Sequence, residues 1–98
     1  MIGVGATLML LTSWYGPGFH GNLTANGTRF NSNASTAAHK SLPFGTQLRV
    51  CHRGCEVVTI TDRGPYVGQR AVDLSLGTAQ RIGMKNQGVA YIKVTRLN

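Results

Sequence analysis

A chain of 98 residues has room for one domain and one core, and its 42% apolar content, spread along the length, excludes a disordered polymer. Ten Lys and Arg against three acids give a net charge of +7 with no long basic run, which describes a basic surface that attracts polyanions or serves solubility. Glu56, Asp62 and Asp73 are the only carboxylates, so carboxylate-rich calcium sites and two-metal centres are excluded for want of ligands.

Residues 1–11 are apolar but lack a basic flank and a cleavage site, and they reach about half the length of a membrane span. They read as a first strand with Ile2, Val4, Ala6, Leu8 and Leu10 on one face, or as the remnant of an export segment; residues 12–98 form the domain proper. Residues 16–35, rich in Gly and Asn, predict a loop, and Trp14, Tyr15, Phe19 and Phe30 beside it read as core fillers or as a sugar-stacking face. His39 stands between the small residues Thr36-Ala37-Ala38 and a turn at Leu42-Pro43-Phe44-Gly45.

Gln47–Cys51 and Glu56–Thr61 alternate as the two strands of a hairpin, with Glu56 as an exposed hairpin residue. Cys51 and Cys55 bracket its turn: a disulfide suits the spacing, with free thiols and a metal site involving His52 as the alternatives. Asp62 ends the second strand, where it either caps the turn through backbone N–H groups or faces a cleft. Asp73 alternates out of a short strand between Val72 and Leu74 and is expected to pair with Ser75 at a helix cap. Ser75 predicts a helix over Leu76–Ile82 that stops at Gly83, and Val89–Thr95 predicts a closing strand with one apolar face. Short strands, frequent glycine turns and so little helix favour a closed β-barrel, which leaves no exposed edges.

Six ordered motifs go further: Ser13-Trp14-Tyr15-Gly16, Thr24-Ala25-Asn26-Gly27, Thr36-Ala37-Ala38-His39, Leu42-Pro43-Phe44-Gly45-Thr46, Thr61-Asp62-Arg63-Gly64-Pro65-Tyr66 and Asp73-Leu74-Ser75. Together they resemble the rare lipoprotein A family from about Thr12 to Leu97. The resemblance implies a mainly β, six-stranded double-psi β-barrel with one or two short helices. It also implies an extracytoplasmic lytic transglycosylase that acts on peptidoglycan strands stripped of peptide and leaves 1,6-anhydromuramyl ends.

Such a reaction can run with one carboxyl group, because the nucleophile is a hydroxyl of the substrate itself. By its match to the family motifs, Asp62 is expected as general acid/base and His39 as its orienting partner. Tyr15, Asn26, Thr28, Arg63, Tyr66 and Asp73 are expected to bind substrate. The expected partner is peptidoglycan or a related wall glycan, bound by a monomer with no cofactor, no metal, no specific nucleic acid and no transmembrane segment. One departure from the pattern stands out: family enzymes commonly carry Glu after the Asn-Gly turn, where this chain has Thr28. A hydroxyl holds no charge at neutral pH. The departure supports the alternative of a glycan-binding or wall-loosening barrel, as in expansins.

Overall fold

The computed structural model describes residues 2–15 and 17–98, without the side chain of Pro17; the parts of the first-strand and glycine-loop expectations that fall on Met1 and Gly16 lie outside the described residues. Six strands, β1 (Thr7–Tyr15), β2 (Thr36–His39), β3 (Gln47–Cys51), β4 (Cys55–Asp62), β5 (Val72–Ser75) and β6 (Val89–Arg96), close into a barrel in the order β1-β5-β2-β4-β3-β6. Two pairings, β1 with β5 and β2 with β4, are parallel, and the rest are antiparallel. One helix, α1 (Leu76–Arg81), and 3-10 turns at Pro17–Phe19 and Lys85–Gln87 complete the fold.

Alternation decides what enters the barrel. Leu48 and Val50 of β3, Val58 and Ile60 of β4, Val72 and Leu74 of β5, and Ile92 and Val94 of β6 are each at most 1% exposed, while the residues between them are not fully buried. At about 25 cal/mol per Å² of apolar surface, burying each such side chain favours folding by about 1.5–3 kcal/mol before chain entropy is counted. Closure gives every long strand two neighbours, so no strand edge is left along the barrel wall.

The hairpin, the helix and the closing strand lie where the sequence places them. Ser75 Oγ accepts the Thr78 N–H as an N-cap, and Gly83 takes φ +81° after the last turn. The first strand differs. β1 begins at Thr7, because a glycine turn at residues 3–6 interrupts the alternation, with Ala6 N–H donating to Gly3 O and Gly5 at φ +82°. Ile2 alone of the early apolar residues is buried, and Val4 is 65% exposed.

Cys51 and Cys55 face each other across the end of the hairpin and form a disulfide, which removes the free-thiol and metal alternatives. Gly77 packs closely on the preceding loop: a Cβ there would meet Asn33 Cα at 2.8 Å, so only glycine lets α1 approach.

Candidate active site

The register of four adjacent strands draws one row of residues across the outer wall of the barrel. Ser13 of β1 lies opposite Asp73 of β5, Asp73 opposite Ala38 of β2, and Ala38 opposite Asp62 of β4. A bulge makes the last pairing: Ala37 faces Ile60, but Ala38 faces Asp62, so Thr61 is passed over. In unbroken register Asp62 would take the same side as the buried Ile60; the bulge re-aims it outward. Two strand spacings separate the two aspartates, about 10 Å between their Cα atoms, and the small Ala38 between them leaves the space open. The glycine-rich loop folds over this row and encloses a cleft of about 230 Å³ lined by Tyr15, Phe19, Asn22, Leu23, Thr24, Phe30, Ala38, Asp62, Arg63 and Asp73.

The two carboxyl groups have different surroundings. Asp62 Oδ1 accepts the N–H groups of Ala25 and Arg63, each at 2.9 Å, which ties the loop to the end of β4; its Oδ2 has no hydrogen bond among the described residues. Both alternatives for Asp62 therefore hold at once: one oxygen caps backbone, and the side chain lines the cleft. Among the described residues Asp73 receives a single hydrogen bond, from Ser13 Oγ at 3.0 Å. Burial raises its pKa to about 6, against the lowering effects of that bond and of Arg70, with Asp62 adding to the rise.

Tyr15 stacks on Phe30, with ring centroids 4.6 Å apart, and meets the edge of Phe19. Its buried hydroxyl has no partner, and burial together with the charges of Asp62 and Asp73 holds its pKa well above the ordinary value. The cleft thus offers an aromatic wall and three oxygen groups, one of them a carboxyl that stays protonated to near neutrality.

Of the residues the sequence singles out, Tyr15, Asp62, Arg63 and Asp73 meet in the cleft. Arg63 Nη1 donates to Leu42 O at 2.9 Å and to His39 O at 3.3 Å, and its guanidinium lies 3.9 Å from the centroid of Phe44, so it braces the wall and makes no ion pair. Asn26 and Thr28 stand beside the cleft, outside its lining. Asn26 Oδ1 accepts from the N–H and hydroxyl of Thr28 and from Thr24 Oγ1, while Asn26 N–H donates to Thr61 O. Tyr66, 75% exposed, also stands outside. His39 lines a neighbouring groove instead, and its Nδ1 accepts the N–H groups of Ser41 and Leu42, both at 3.0 Å. Burial, followed by Arg63 and Lys40, lowers its pKa, so the ring is neutral with its proton on Nε2.

Two expectations change in the structure, those for Asp73 and Glu56. Asp73 does not join the helix cap, since Ser75 alone serves Thr78. Trp14 takes the core-filling alternative, packing against the core and donating to Lys85 O, and Tyr15, Phe19 and Phe30 form the aromatic wall. Glu56 is no exposed hairpin residue: its side chain is 16% exposed and bonded to α1. Ser13, Asn22, Leu23, Thr24 and Ala38 are site residues that motif reading alone does not assign; strand register brings in Ser13 and Ala38, and the glycine-rich loop brings in Asn22, Leu23 and Thr24. Among the described residues no three His, Cys, Asp or Glu come close enough to hold a metal ion.

The lytic transglycolase family model matches residues 7–94. The probable endolytic peptidoglycan transglycosylase RlpA of Synechocystis sp. is 55% identical over 85 residues, covering 84% of this chain and 26% of that protein. The endolytic peptidoglycan transglycosylase RlpA of Campylobacter jejuni is 45% identical over 97 residues, covering 96% of this chain and 35% of that protein. The chain therefore spans about a quarter to a third of the length of these curated relatives. Among solved structures, Streptomyces papain inhibitor superposes over the whole of both chains with a TM-score of 0.78 at 18% identity. A mutant Clavibacter michiganensis expansin in complex with cellohexaose superposes at 0.76 and 17%, over 95% of this chain and 51% of that one. At such identities these two share the fold alone.

Proposed function

This chain belongs to the rare lipoprotein A-like, lytic transglycolase family of double-psi β-barrels, and on that premise we propose that its cleft cleaves peptidoglycan glycan strands by lytic transglycosylation. The observation that carries the reading is the row Ser13–Asp73–Ala38–Asp62, which sets two carboxyl groups in one aromatic-walled cleft. Asp73, with its raised pKa, suits the proton donor. It protonates the glycosidic oxygen as the C1–O bond breaks, and the 6-hydroxyl of the same muramyl residue attacks C1. Asp62, whose Oδ2 is unoccupied by hydrogen bonds, steadies the positive charge at C1 and takes the proton released from O6. No water is consumed: the products are a 1,6-anhydro end and a new free hydroxyl end. Asp62 keeps the base half of the role expected from the family motif, and the acid half passes to Asp73.

His39 supports this arrangement from behind, through its backbone contact with Arg63, rather than at the scissile bond. Because peptidoglycan lies outside the cytoplasmic membrane, the domain works there. No helix among the described residues is long and apolar enough to cross a membrane.

The test is digestion of peptide-stripped strands followed by mass spectrometry for 1,6-anhydromuramyl products, with Asp62→Asn and Asp73→Asn in parallel. Products that vanish in both variants support the two-acid cleft; products that survive Asp73→Asn return the whole acid/base role to Asp62. A second reading, glycan binding without cleavage, is favoured by Thr28, which offers a hydroxyl already engaged by Asn26 where family enzymes carry Glu. Strand binding with no product would select it.

A further inference from the structure

Beside the acid cleft lies a groove of about 360 Å³ with a different character. Its floor is apolar, from Leu8, Leu10 and Ala71, and its rim carries His39, Lys40 and Arg70. Neither Lys40 nor Arg70 has an ion-pair partner among the described residues, where the single salt bridge joins Arg81 to Glu56. The carboxylates that could neutralise the groove are held elsewhere: Glu56 by α1, and Asp62 and Asp73 by the cleft. Because His39 Nδ1 is occupied by two backbone N–H groups, the polar atom left on the ring is a donor. The groove therefore presents two cations and an N–H over an apolar floor, a setting for an anionic group on an otherwise uncharged body.

The groove adjoins the cleft. His39 directly follows Ala38 on β2, and Arg70 precedes Asp73 by three residues, about 10 Å of extended chain. The field of Arg70 reaches the Asp73 carboxyl and lowers its pKa. A polymer crossing the cleft thus lays a neighbouring unit along this rim. In a peptidoglycan strand the uncharged body is the sugar, and the anion carried on the sugar itself is the lactyl carboxylate of the muramyl residue. We propose that the His39–Lys40–Arg70 groove is a subsite for the free lactyl carboxylate of a muramyl residue next to the scissile bond. The assignment rests on the glycan reading above and adds to it the group that sets the register of the strand.

The experiment uses the Asp62→Asn chain, expected to bind without turnover, and two peptide-free muramyl tetrasaccharides, one with free lactyl carboxylates and one with these converted to methylamides. Calorimetry is expected to give about tenfold tighter binding of the free acid, as for hydrogen bonds to a charged group. Adding Lys40→Gln and Arg70→Gln is expected to bring the two ligands to within about twofold of each other, with methylamide binding unchanged. Lys40 is exposed and Arg70 half-buried, and an unchanged far-ultraviolet spectrum checks the fold of the variant. Equal affinity for the two ligands in the Asp62→Asn chain, or a preference that survives loss of both cations, overturns the subsite while leaving the glycan reading in place. Failure of both ligands to bind overturns the glycan reading and the subsite together.

Discussion

Glu56 on β4 and Asp73 on β5 are both carboxylates set into the barrel wall, yet folding moves them in opposite directions. Glu56 accepts from Arg81 Nε at 2.6 Å, Arg81 Nη2 at 3.1 Å, Thr78 Oγ1 at 2.7 Å and Ser35 Oγ at 2.9 Å, and these donors, Arg81 foremost, lower its pKa. Asp73 has the Ser13 hydroxyl alone, so burial prevails and its pKa rises to about 6. Burial and donor supply together separate the two: desolvation is the largest influence on Asp73 and hydrogen bonding from Arg81 the largest on Glu56. A carboxylate satisfied on both oxygens fastens α1 to the barrel; one left short of donors keeps a proton that chemistry can use.

Breaking the functional side of that contrast gives the largest expected effect. Asp73→Asn is expected to lower the rate of strand cleavage by at least about 100-fold, the usual scale for a lost general acid. In the unmodified protein the rate should fall as pH rises through about 6, where Asp73 loses its proton; a rate that is flat from pH 5 to 8 would remove Asp73 as donor. The same variant should gain stability. A carboxyl whose pKa is raised on folding contributes stability in full below its unfolded pKa, and that contribution is lost as pH rises through the folded value. Asp73→Asn therefore raises stability at pH 8 by on the order of 1–2 kcal/mol after solvent screening, read as a higher Tm, and changes little at pH 4.

The Cys51–Cys55 bridge comes next: it closes the hairpin turn beside Glu56, and neither cysteine lines the cleft. Cys51→Ser with Cys55→Ser should cost about 2 kcal/mol in denaturant unfolding and leave cleavage by the folded protein intact. Glu56→Gln should cost about 1–2 kcal/mol at neutral pH, with cleavage per folded molecule unchanged. Its pKa is lowered on folding, so the stability it contributes is present above the unfolded pKa and lost as pH falls through the folded one; the gap from the unmodified protein closes in acid. The smallest effect on stability belongs to Tyr15→Phe, which removes a buried hydroxyl with no partner and should leave Tm within a degree or rise slightly. Retained cleavage in that variant would confine Tyr15 to the aromatic wall.

Much of the barrel was legible in residue order, since alternation along Gln47–Cys51 and Val89–Thr95, the Ser75 cap and the stop at Gly83 are read from neighbours a few positions apart. Glu56 was misread because its donors Thr78 and Arg81 lie 22 and 25 positions away, on an element whose docking no local pattern records. The first strand starts later than its alternation suggests for the opposite reason: the pattern of Ile2, Val4 and Ala6 is present, but Gly3 and Gly5 turn the chain, and it joins β6 only from Gly5 N–H and Ala6 O to Arg96 onward.

By itself the sequence determined the strand-rich closed fold, the core-facing alternation and the motifs that place Asp62 and Asp73 at strand positions, because these follow from local periodicity and residue type. Only the tertiary structure decided that Asp62 and Asp73 flank Ala38, that Ser13 donates to Asp73 from 60 positions away, and that His39 faces a separate groove. Those facts depend on parallel pairing between strands distant in the chain and on one bulged residue at Thr61, and a one-residue change of register exchanges the two faces of a strand.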